Sequence, residues 1–458
     1  MIFKVRKYFT KKLPKFKLGN RVTFFLIGIA WIYFTLLITI VPKIEPIWKN
    51  FWDTNDYYHQ SQSNLFTENF FAPTPKRWFT PRPFTMPLLY KIAGSDCYRM
   101  FFFQKQLYCV CILLLIIVLC KLTFNNLSRL LFSLFFLFFF TWWSILGWSN
   151  NLLSEFTSTI FLFLWIATVI YYYLKQSPLS IFFLFIVSVL FSFSRDNWAY
   201  ILLSFFIINV IINFKAEIKK KIGALVLLIL FIGVFFVQNY TILRGERHVL
   251  PIYNSIAVRI SQNDAYLNWF KKEGMPDAEL MKKHFAGINI NTLEGQLRVM
   301  ESYSTAPFKG VLYWVKCYGK NAYQKFILTH PGYFFLTDQK SEEIDRILTC
   351  EPGYYQKPRD FFANADVFFP FFGNIFFFIS VLSCFYIWIK EKNTIYLLPL
   401  FFSFLFFLNA LIVYNADTME VERHLYTTVI CREFISMFSL FLIVNYFLER
   451  RKLLLNKV

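Results

Sequence analysis

Apolar residues run along this chain in long, nearly uncharged blocks that are separated by short polar stretches. A helix needs about 20 apolar residues to cross the hydrocarbon core of a bilayer. We predict ten membrane-spanning helices, at residues 22–41, 106–123, 130–147, 153–174, 179–194, 198–214, 222–239, 366–389, 394–413 and 426–448. Blocks 179–194 and 198–214 could also form one interrupted helical hairpin, since only three residues separate them. The centres of the blocks are nearly free of charge.

The composition agrees with this pattern. Of the 458 residues, 57% are hydrophobic and only 17% are charged, which is too apolar for a soluble domain of this size. We therefore predict an all-α polytopic membrane protein. The first apolar block is too long for a signal-peptide core and has no small-residue cleavage site, so we expect it to stay as an anchor.

The net charge of +20 is concentrated beside the apolar blocks. Residues 1–21 hold eight Lys or Arg, and residues 215–221 and 450–457 hold four each. This arrangement is typical of positive-inside topology and not of a groove that follows nucleic-acid phosphates, so no nucleic-acid partner is expected. It places the amino terminus in the cytoplasm and residues 42–105 and 240–365 outside.

The topology divides the chain into three parts. Residues 1–239 form an amino-terminal membrane domain with the first outer loop at 42–105, residues 240–365 form an outer or interfacial region, and residues 366–458 form the last membrane helices. Prolines between 73 and 83 resist helix, so the first outer loop should hold one surface helix at most. In the second outer region, a helix from Asn263 should stop at Gly274, and 310–328 suits interfacial helices.

The cysteines suggest little chemistry. Five of the eight lie in or beside predicted spans, where cysteine behaves as a small hydrophobe. Cys97, Cys317 and Cys350 lie in the outer loops, and an oxidising compartment would permit a disulfide between the last two. No His/Cys spacing indicates zinc.

The unusual polar residues of distant segments converge on one membrane face once the topology is fixed. Structural interpretations also exist: Glu155 would neutralise Arg195, Arg195 and Asp196 would form a turn pair, and His330 before Pro331 would be an ordinary loop residue. The residues that the topology brings to the outer face are Asp53, Asp56, His59, Glu155, Arg195, Asp196, Arg423 and His424. This convergence predicts a functional site there, because ionisable groups at a membrane are energetically costly and usually mark a functional site.

The residue types on this face indicate a reaction. Asp53 and Asp56 share one face if their segment is helical, and an ionised Asp can deprotonate an acceptor hydroxyl or amine. Arginine and histidine supply donors and positive charge to a phosphate leaving group. Tyr57 and its aromatic neighbours offer faces for sugar rings. A carboxylate base with a cationic phosphate site is the minimal set for glycosyl transfer from a lipid-phosphate donor.

Several short motifs resemble the multi-spanning GT-C glycosyltransferases, which use polyprenyl-phosphate sugars. One amino-terminal span is followed by an acidic motif in the first outer loop, here Asp53-Thr-Asn-Asp56-Tyr57. A short junction, Ser194-Arg-Asp-Asn-Trp198, lies between middle spans, and an Arg-bearing turn, Glu422-Arg-His-Leu-Tyr426, opens the last span. The pair in His330-Pro331-Gly-Tyr333 is similar to the loop before the late spans of such enzymes. The resemblance covers the topology of nearly the whole chain.

The resemblance implies a GT-C-like arrangement and an inverting transfer to a glycan, lipid or protein acceptor on the outer face. Asp53 would be the base or the acid that positions the acceptor, with Asp56 as its partner, and Arg195, Arg423 and His424 would bind the donor phosphate. Further site candidates are Tyr57, His59, Glu155, Asp196, Glu422 and His330. Because the family often carries adjacent acids and this chain separates them by two residues, the choice between the aspartates stays open. No metal is required, although Asp53 and Asp56 could hold Mg²⁺ or Mn²⁺.

Two other classes stay compatible with the sequence. A polymerase or ligase of lipid-linked polysaccharide shares the membrane, the lipid-phosphate substrate and a large outer loop. A transporter or flippase normally places charges at mid-membrane and shows broken helices or an internal repeat. Short loops favour the bacterial cytoplasmic membrane as the location, with the endoplasmic reticulum as an alternative.

Overall fold

The fold is known from a computed structural model that describes residues 21–40, 52–76, 79–123, 126–141, 143–214, 216–288, 293–334, 374–416 and 421–455. Within these ranges the secondary structure is helical, apart from a single β-bridge between Lys76 and Phe79. The protein is thus an all-α polytopic membrane protein, as the apolar blocks predict.

The helices fall into three groups along the chain. The first group is α1 (Arg21–Ile40), α2 (Trp52–Ser61), α3 (Glu68–Phe71), α4 (Thr85–Ile92), α5 (Cys97–Cys120), α6 (Asn126–Phe140), α7 (Trp143–Leu146), α8 (Ser154–Lys175), α9 (Pro178–Ser192), α10 (Trp198–Asn213) and α11 (Ile218–Arg244). The second is α12 (Val249–Ser255), α13 (Asp264–Lys272), α14 (Ala278–Phe285), α15 (Leu293–Ser302), α16 (Lys309–Trp314), α17 (Lys320–Thr329) and α18 (Pro331–Phe334). The third is α19 (Asn374–Glu391), α20 (Leu398–Ala416) and α21 (Val421–Leu455).

Each predicted span overlaps at least one of these helices: the span predicted at 130–147 covers parts of α6 and α7, and the described part of the span predicted at 366–389 lies in α19. Six helices among the described residues are long and apolar enough to cross a membrane, namely α1, α5, α8, α11, α20 with its preceding turn, and α21. The helices α6, α9 and α10 are apolar but shorter, and α9 and α10 are separate. The largest difference in bounds is at α5, which begins at Cys97 because the Asp96 carboxylate caps it by accepting from the Arg99 N–H at 2.8 Å.

The membrane helices pack around α8, which is buried along most of its length. Its neighbours are α5 on one side and α9 on the other, and α10 packs in turn on α11. Aromatic rings fill the interior: the Phe163 ring lies 4.9 Å from that of Phe140 and 5.7 Å from that of Phe434. At the periphery, α1 and α11 leave apolar side chains such as Phe25 and Phe236 exposed, as lipid-facing helices do.

The second group of helices has a hydrophobic core of its own, from Ile252 to Tyr333. The helix predicted from Asn263 is confirmed as α13. Its cap is the Asn263 side chain, which accepts from the backbone N–H of Ala265 at 3.0 Å and of Tyr266 at 3.2 Å. The helix stops before Gly274, whose φ of +88° is a conformation that glycine adopts without strain. Two π-helical turns, Ile256–Ile260 and Val315–Gly319, interrupt this group.

The segment that we predict to be the first outer loop holds more helix than expected. It contains α2, α3 and α4, where the prolines favour one surface helix at most. Proline does not prevent this because α2 and α3 lie before the proline-rich stretch and Pro87 lies in the first turn of α4, where its missing N–H is not needed. Residues 73–76 and 79–83 are not helical and lie between α3 and α4.

Candidate active site at the first outer loop

The two predicted acids lie on α2. Asp53 is in its first turn, where a negative charge interacts favourably with the helix dipole. Asp56 follows one turn later on the same face, as the i, i+3 spacing predicts. The carboxylate of Asp53 is 18% exposed and that of Asp56 only 9%. Asp53 is therefore the more accessible of the two.

Arg82 bridges both acids. Its Nη2 donates to Asp53 Oδ1 at 2.6 Å and to Asp56 Oδ2 at 2.8 Å, and its Nε donates to the same Asp56 oxygen at 3.0 Å. The other oxygen of Asp56 accepts from the backbone N–H of Thr80 at 3.1 Å. The sequence pattern does not indicate Arg82, since this residue lies 29 residues beyond Asp53 in the proline-rich stretch. The sequence feature that could have indicated Arg82 is its position between Pro81 and Pro83 in a predicted outer loop.

Gln60 holds Arg82 in place through the backbone. The Gln60 side chain accepts from the Arg82 N–H at 3.0 Å and donates to the Arg82 carbonyl at 3.0 Å. It also donates to the Phe70 carbonyl at 2.8 Å and is itself buried. Pro81 and Pro83 restrict the backbone on both sides. The guanidinium is therefore fixed against α2 by buried polar groups and not only by its own ion pairs.

The electrostatics of the acids follow from this enclosure. Burial raises the pKa of Asp56, while Arg82 and the Thr80 N–H oppose the rise and Asp53 adds to it. Burial acts to lower the pKa of Arg82, but Asp53, Tyr57 and Asp56 outweigh it and the pKa lies above its ordinary value. Arg82 is thus a permanent cation between the two carboxyl groups.

Tyr57 connects the acids to the first turn of α8. It is fully enclosed, and burial, then the charges of Asp53 and Glu155, raise its pKa to about 12 against the opposing effect of Arg82. Its ring lies 6.5 Å from that of Tyr90 and 5.9 Å from the Arg82 guanidinium carbon. Tyr57 therefore stays a neutral phenol between two charged groups.

Glu155 and Arg195 form the other charged group. Glu155 is fully buried in the first turn of α8, and its Oε1 lies 3.8 Å from Nη1 of Arg195 at the α9–α10 junction. The hydroxyls of Ser158 and Ser194 join the same two segments at 2.9 Å. Tyr57 connects the two charged groups, because it interacts with the charges of both Asp53 and Glu155. We define the first-loop site as this cluster of Asp53, Asp56, Tyr57, Arg82, Glu155 and Arg195.

Asp196 lies in a separate ion pair. Both of its oxygens accept from Arg247, from Nε at 2.9 Å and from Nη2 at 2.9 Å, and Gln238 donates to it at 3.0 Å. This bidentate pair joins the α9–α10 junction to the end of α11. The structure therefore shows adjacent residues, Arg195 and Asp196, in contact with different partners.

The remaining predicted residues lie elsewhere or outside the described side chains. His59 is exposed on α2 with its ring 5.6 Å from that of Tyr58. His330 stacks on Phe326 at 4.4 Å, and its Nδ1 lies 3.0 Å from the Phe326 carbonyl oxygen, within the second hydrophobic core. The backbone of the residues around Arg423 forms the first turn of α21. The side chains of Glu422, Arg423 and His424, and all of Cys350, lie outside the described residues.

The acid pair does not fit a divalent metal as it stands. Arg82 occupies one oxygen of each carboxylate, and the Thr80 N–H occupies the second oxygen of Asp56. Among the described residues, the structure contains no group of three or more His, Cys, Asp or Glu side chains that could hold a metal ion.

Comparisons with known proteins find matches among solved structures. No protein-family model and no curated protein matches the sequence. Among solved structures, the fold is similar to the archaeal oligosaccharyltransferase AglB from Archaeoglobus fulgidus in complex with an inhibitory peptide and a dolichol-phosphate. The TM-score is 0.46 at 13% identity, over 96% of this chain and 52% of that one. The chain thus spans about half the length of that protein.

Proposed function

We propose that the protein is an integral membrane glycosyltransferase that moves a sugar from a polyprenyl-phosphate donor to an acceptor on the extracytoplasmic face. The observation that carries the proposal is the first-loop site. The proposal is supported by an accessible carboxylate, Asp53, that belongs to the same cluster as a cation, Arg195, beside the first turn of α8, a helix long enough to cross a membrane. A base and a phosphate-binding cation in one cluster are what such a transfer requires.

In the proposed reaction, Asp53 accepts a proton from the acceptor hydroxyl or amine as that group attacks the anomeric carbon. The new bond forms on the face opposite the phosphate, the bond from the anomeric carbon to the phosphate oxygen breaks, and polyprenyl phosphate leaves. The configuration at that carbon is inverted. Arg195, with Arg423 and His424 as the sequence predicts, stabilises the charge on the leaving phosphate. Asp56 holds Arg82 and thereby positions Asp53.

The test is sugar transfer by the purified protein in liposomes that contain polyprenyl-phosphate sugars. Asp53→Asn should lower the rate of polyprenyl phosphate release by about a hundredfold or more, which is the usual contribution of a general base. Glu279→Gln is the matched control, since this exposed acid on α14 lies in the second group of helices. A rate for Asp53→Asn equal to the parent's would disprove the role of Asp53. Products longer than one added sugar would indicate a polymerase.

One observation favours a second candidate, a flippase of lipid-linked sugars. Arg432 and Glu433 lie in the apolar span of α21, with Arg432 Nη2 2.6 Å from Glu433 Oε1. Arg432 follows Tyr426 by six residues, about 9 Å along a helix axis, so the pair is inside the span. Ionisable pairs at such depth often line substrate pathways. Movement of a fluorescent polyprenyl-phosphate sugar across the liposome bilayer, lost in Arg432→Leu, would support this candidate.

A further inference from the structure

The position of Arg82 Nη2 between the two acids has a chemical meaning. Two carboxylates on one helix face repel each other, and proteins commonly relieve this repulsion with a bridging Mg²⁺, Mn²⁺ or Ca²⁺ ion. Here one nitrogen lies 2.6 Å from Asp53 Oδ1 and 2.8 Å from Asp56 Oδ2. The guanidinium thus lies where a bridging metal ion would coordinate both acids.

The structure also fixes the guanidinium at this point. Gln60 binds both the N–H and the carbonyl of Arg82, and Gln60 is only 1% exposed. Moving Arg82 away would leave these buried polar groups without partners, which is costly. Arg82 is therefore held firmly in place. Because it is part of the chain, its positive charge is present at any concentration of metal ions.

A divalent ion cannot share the site with this arginine. Mg²⁺ binds carboxylate oxygens at about 2.0–2.1 Å, so an ion on Asp53 Oδ1 and Asp56 Oδ2 would overlap the nitrogen already in contact with both. The charges give the same result, because two carboxylates and one guanidinium carry a net charge of −1. An added divalent ion would face the guanidinium at close range, and like charges at that distance repel strongly.

We propose that Arg82 is the built-in cation of the acid pair, a positioning residue that takes the place of a divalent metal. It neutralises one of the two carboxylate charges and fixes the direction of the Asp53 carboxylate. The acid pair consequently binds no Mg²⁺ or Mn²⁺ in the native protein. Removing the guanidinium exposes a latent site for a divalent ion. This proposal rests on the acid-pair geometry and holds whatever the protein transfers.

The experiment is a Mn²⁺ titration of the purified protein in detergent, followed by electron paramagnetic resonance of the free ion. Wild-type protein and Asp53→Asn should bind Mn²⁺ equally weakly. Arg82→Ala should gain one equivalent of bound Mn²⁺ with an affinity at least about tenfold above that of the wild type, because the repelling charge is gone. The double variant Arg82→Ala, Asp53→Asn should lose the gained site.

Arg244→Ala is the matched control. Arg244 also forms an ion pair in this region, with Glu68, but it contacts a single acid. Its removal should create no Mn²⁺ site, since one exposed carboxylate does not hold the ion. Arg82→Gln serves as a second variant of similar size and no charge, and it should gain the site as Arg82→Ala does.

Two results would overturn the proposal. The first is tight Mn²⁺ binding by the wild type that Asp53→Asn abolishes, which would mean that the metal and Arg82 coexist. The second is an Arg82 variant that elutes and melts as a folded protein but gains no Mn²⁺. If neither Arg82 variant folds, the wild-type and Asp53→Asn titrations still decide, because any Mn²⁺ bound through Asp53 contradicts a site filled by Arg82. None of these measurements requires sugar transfer, so a failure of the proposed function would leave them unchanged.

Discussion

Two lysines on consecutive helices have opposite surroundings. Lys91 on α4 donates to the carbonyls of Ser61 at 3.0 Å and Ser63 at 2.8 Å, and so ties α4 to the end of α2. Lys105 on α5 is 1% exposed, and within the described ranges its ammonium contacts the Phe101 ring at 4.1 Å without a hydrogen-bond acceptor. A buried charge without an acceptor is costly, whereas a satisfied one supports the fold.

Replacing each lysine by methionine should therefore change stability in opposite directions. Lys105→Met should raise the free energy of unfolding by about 1–2 kcal/mol, because the apolar side chain keeps the volume and removes the desolvated charge. Lys91→Met should lower it by about 1–3 kcal/mol, since two carbonyls lose their charged donor. Thermal unfolding of both variants in the same detergent is the measurement. A loss of stability in Lys105→Met would show that its ammonium has a stabilising partner.

The raised pKa of Asp56 predicts how the stability of the protein changes with pH. Its folded pKa lies above the unfolded value of about 3.9, so the folded state binds this proton more tightly. The stability that protonated Asp56 contributes is complete below the unfolded pKa and is lost as the pH rises through the folded pKa. As the pH rises from about 4 through the folded pKa, the wild type should therefore lose stability relative to Asp56→Asn.

The measurement is the melting temperature of both proteins at several pH values, compared by slope and not by absolute value, since the substitution also removes an ion pair. Asp264→Asn is the control, because Asp264 is an exposed acid in an exposed pair with Lys282. Its curve should run parallel to that of the wild type. Parallel curves for Asp56→Asn as well would contradict a raised pKa.

At the scale of elements, the sequence predicts those features that depend on residues close together in the chain, such as the ends of a helix. The bounds of α13 follow from Asn263 and Gly274, which act within one turn of the helix ends. The Arg82 bridge does not follow in this way, because it depends on a contact between residues 29 positions apart, with α2, α3 and a proline-rich stretch between them. Sequence identifies the two acids as unusual, but only the fold shows what neutralises them.

The bidentate pair of Asp196 and Arg247 provides a test at this scale, since it joins the α9–α10 junction to α11. Arg247 is 5% exposed, and an ammonium cannot reproduce its forked geometry. Arg247→Lys should therefore lower the free energy of unfolding by about 1–3 kcal/mol. Lys282→Arg, in a half-exposed pair with Asp264, should change it by less than about 0.5 kcal/mol. If Arg247→Lys changes the free energy of unfolding as little as Lys282→Arg does, the pair of Asp196 and Arg247 does not stabilise this junction.

At the scale of the whole molecule, the charge pattern predicts which face is outside. Cys317 is the exposed cysteine among those that the structure describes, and we predict an extracytoplasmic location for it. An impermeant thiol reagent should therefore label it in intact cells after mild reduction, in a Cys350→Ser background. Cys317→Ser should remove the label. A cysteine introduced at Lys219, which is exposed on the predicted cytoplasmic side, should react only after permeabilisation. Labelling of Lys219→Cys in intact cells would reverse the topology.

The hydrogen bonds of Gln60 have a further consequence for chain length. The Gln60 side chain on α2 bonds to the backbone of both Phe70 and Arg82, so it fixes the positions of these two residues relative to α2. Phe66, 90% exposed, lies in a turn where extra residues would only bulge outward. One residue added or removed between Ala72 and Thr80 would instead shift the guanidinium away from both acids. Homologues of this protein should vary in loop length before Phe70 and keep a constant spacing from Phe70 to Arg82.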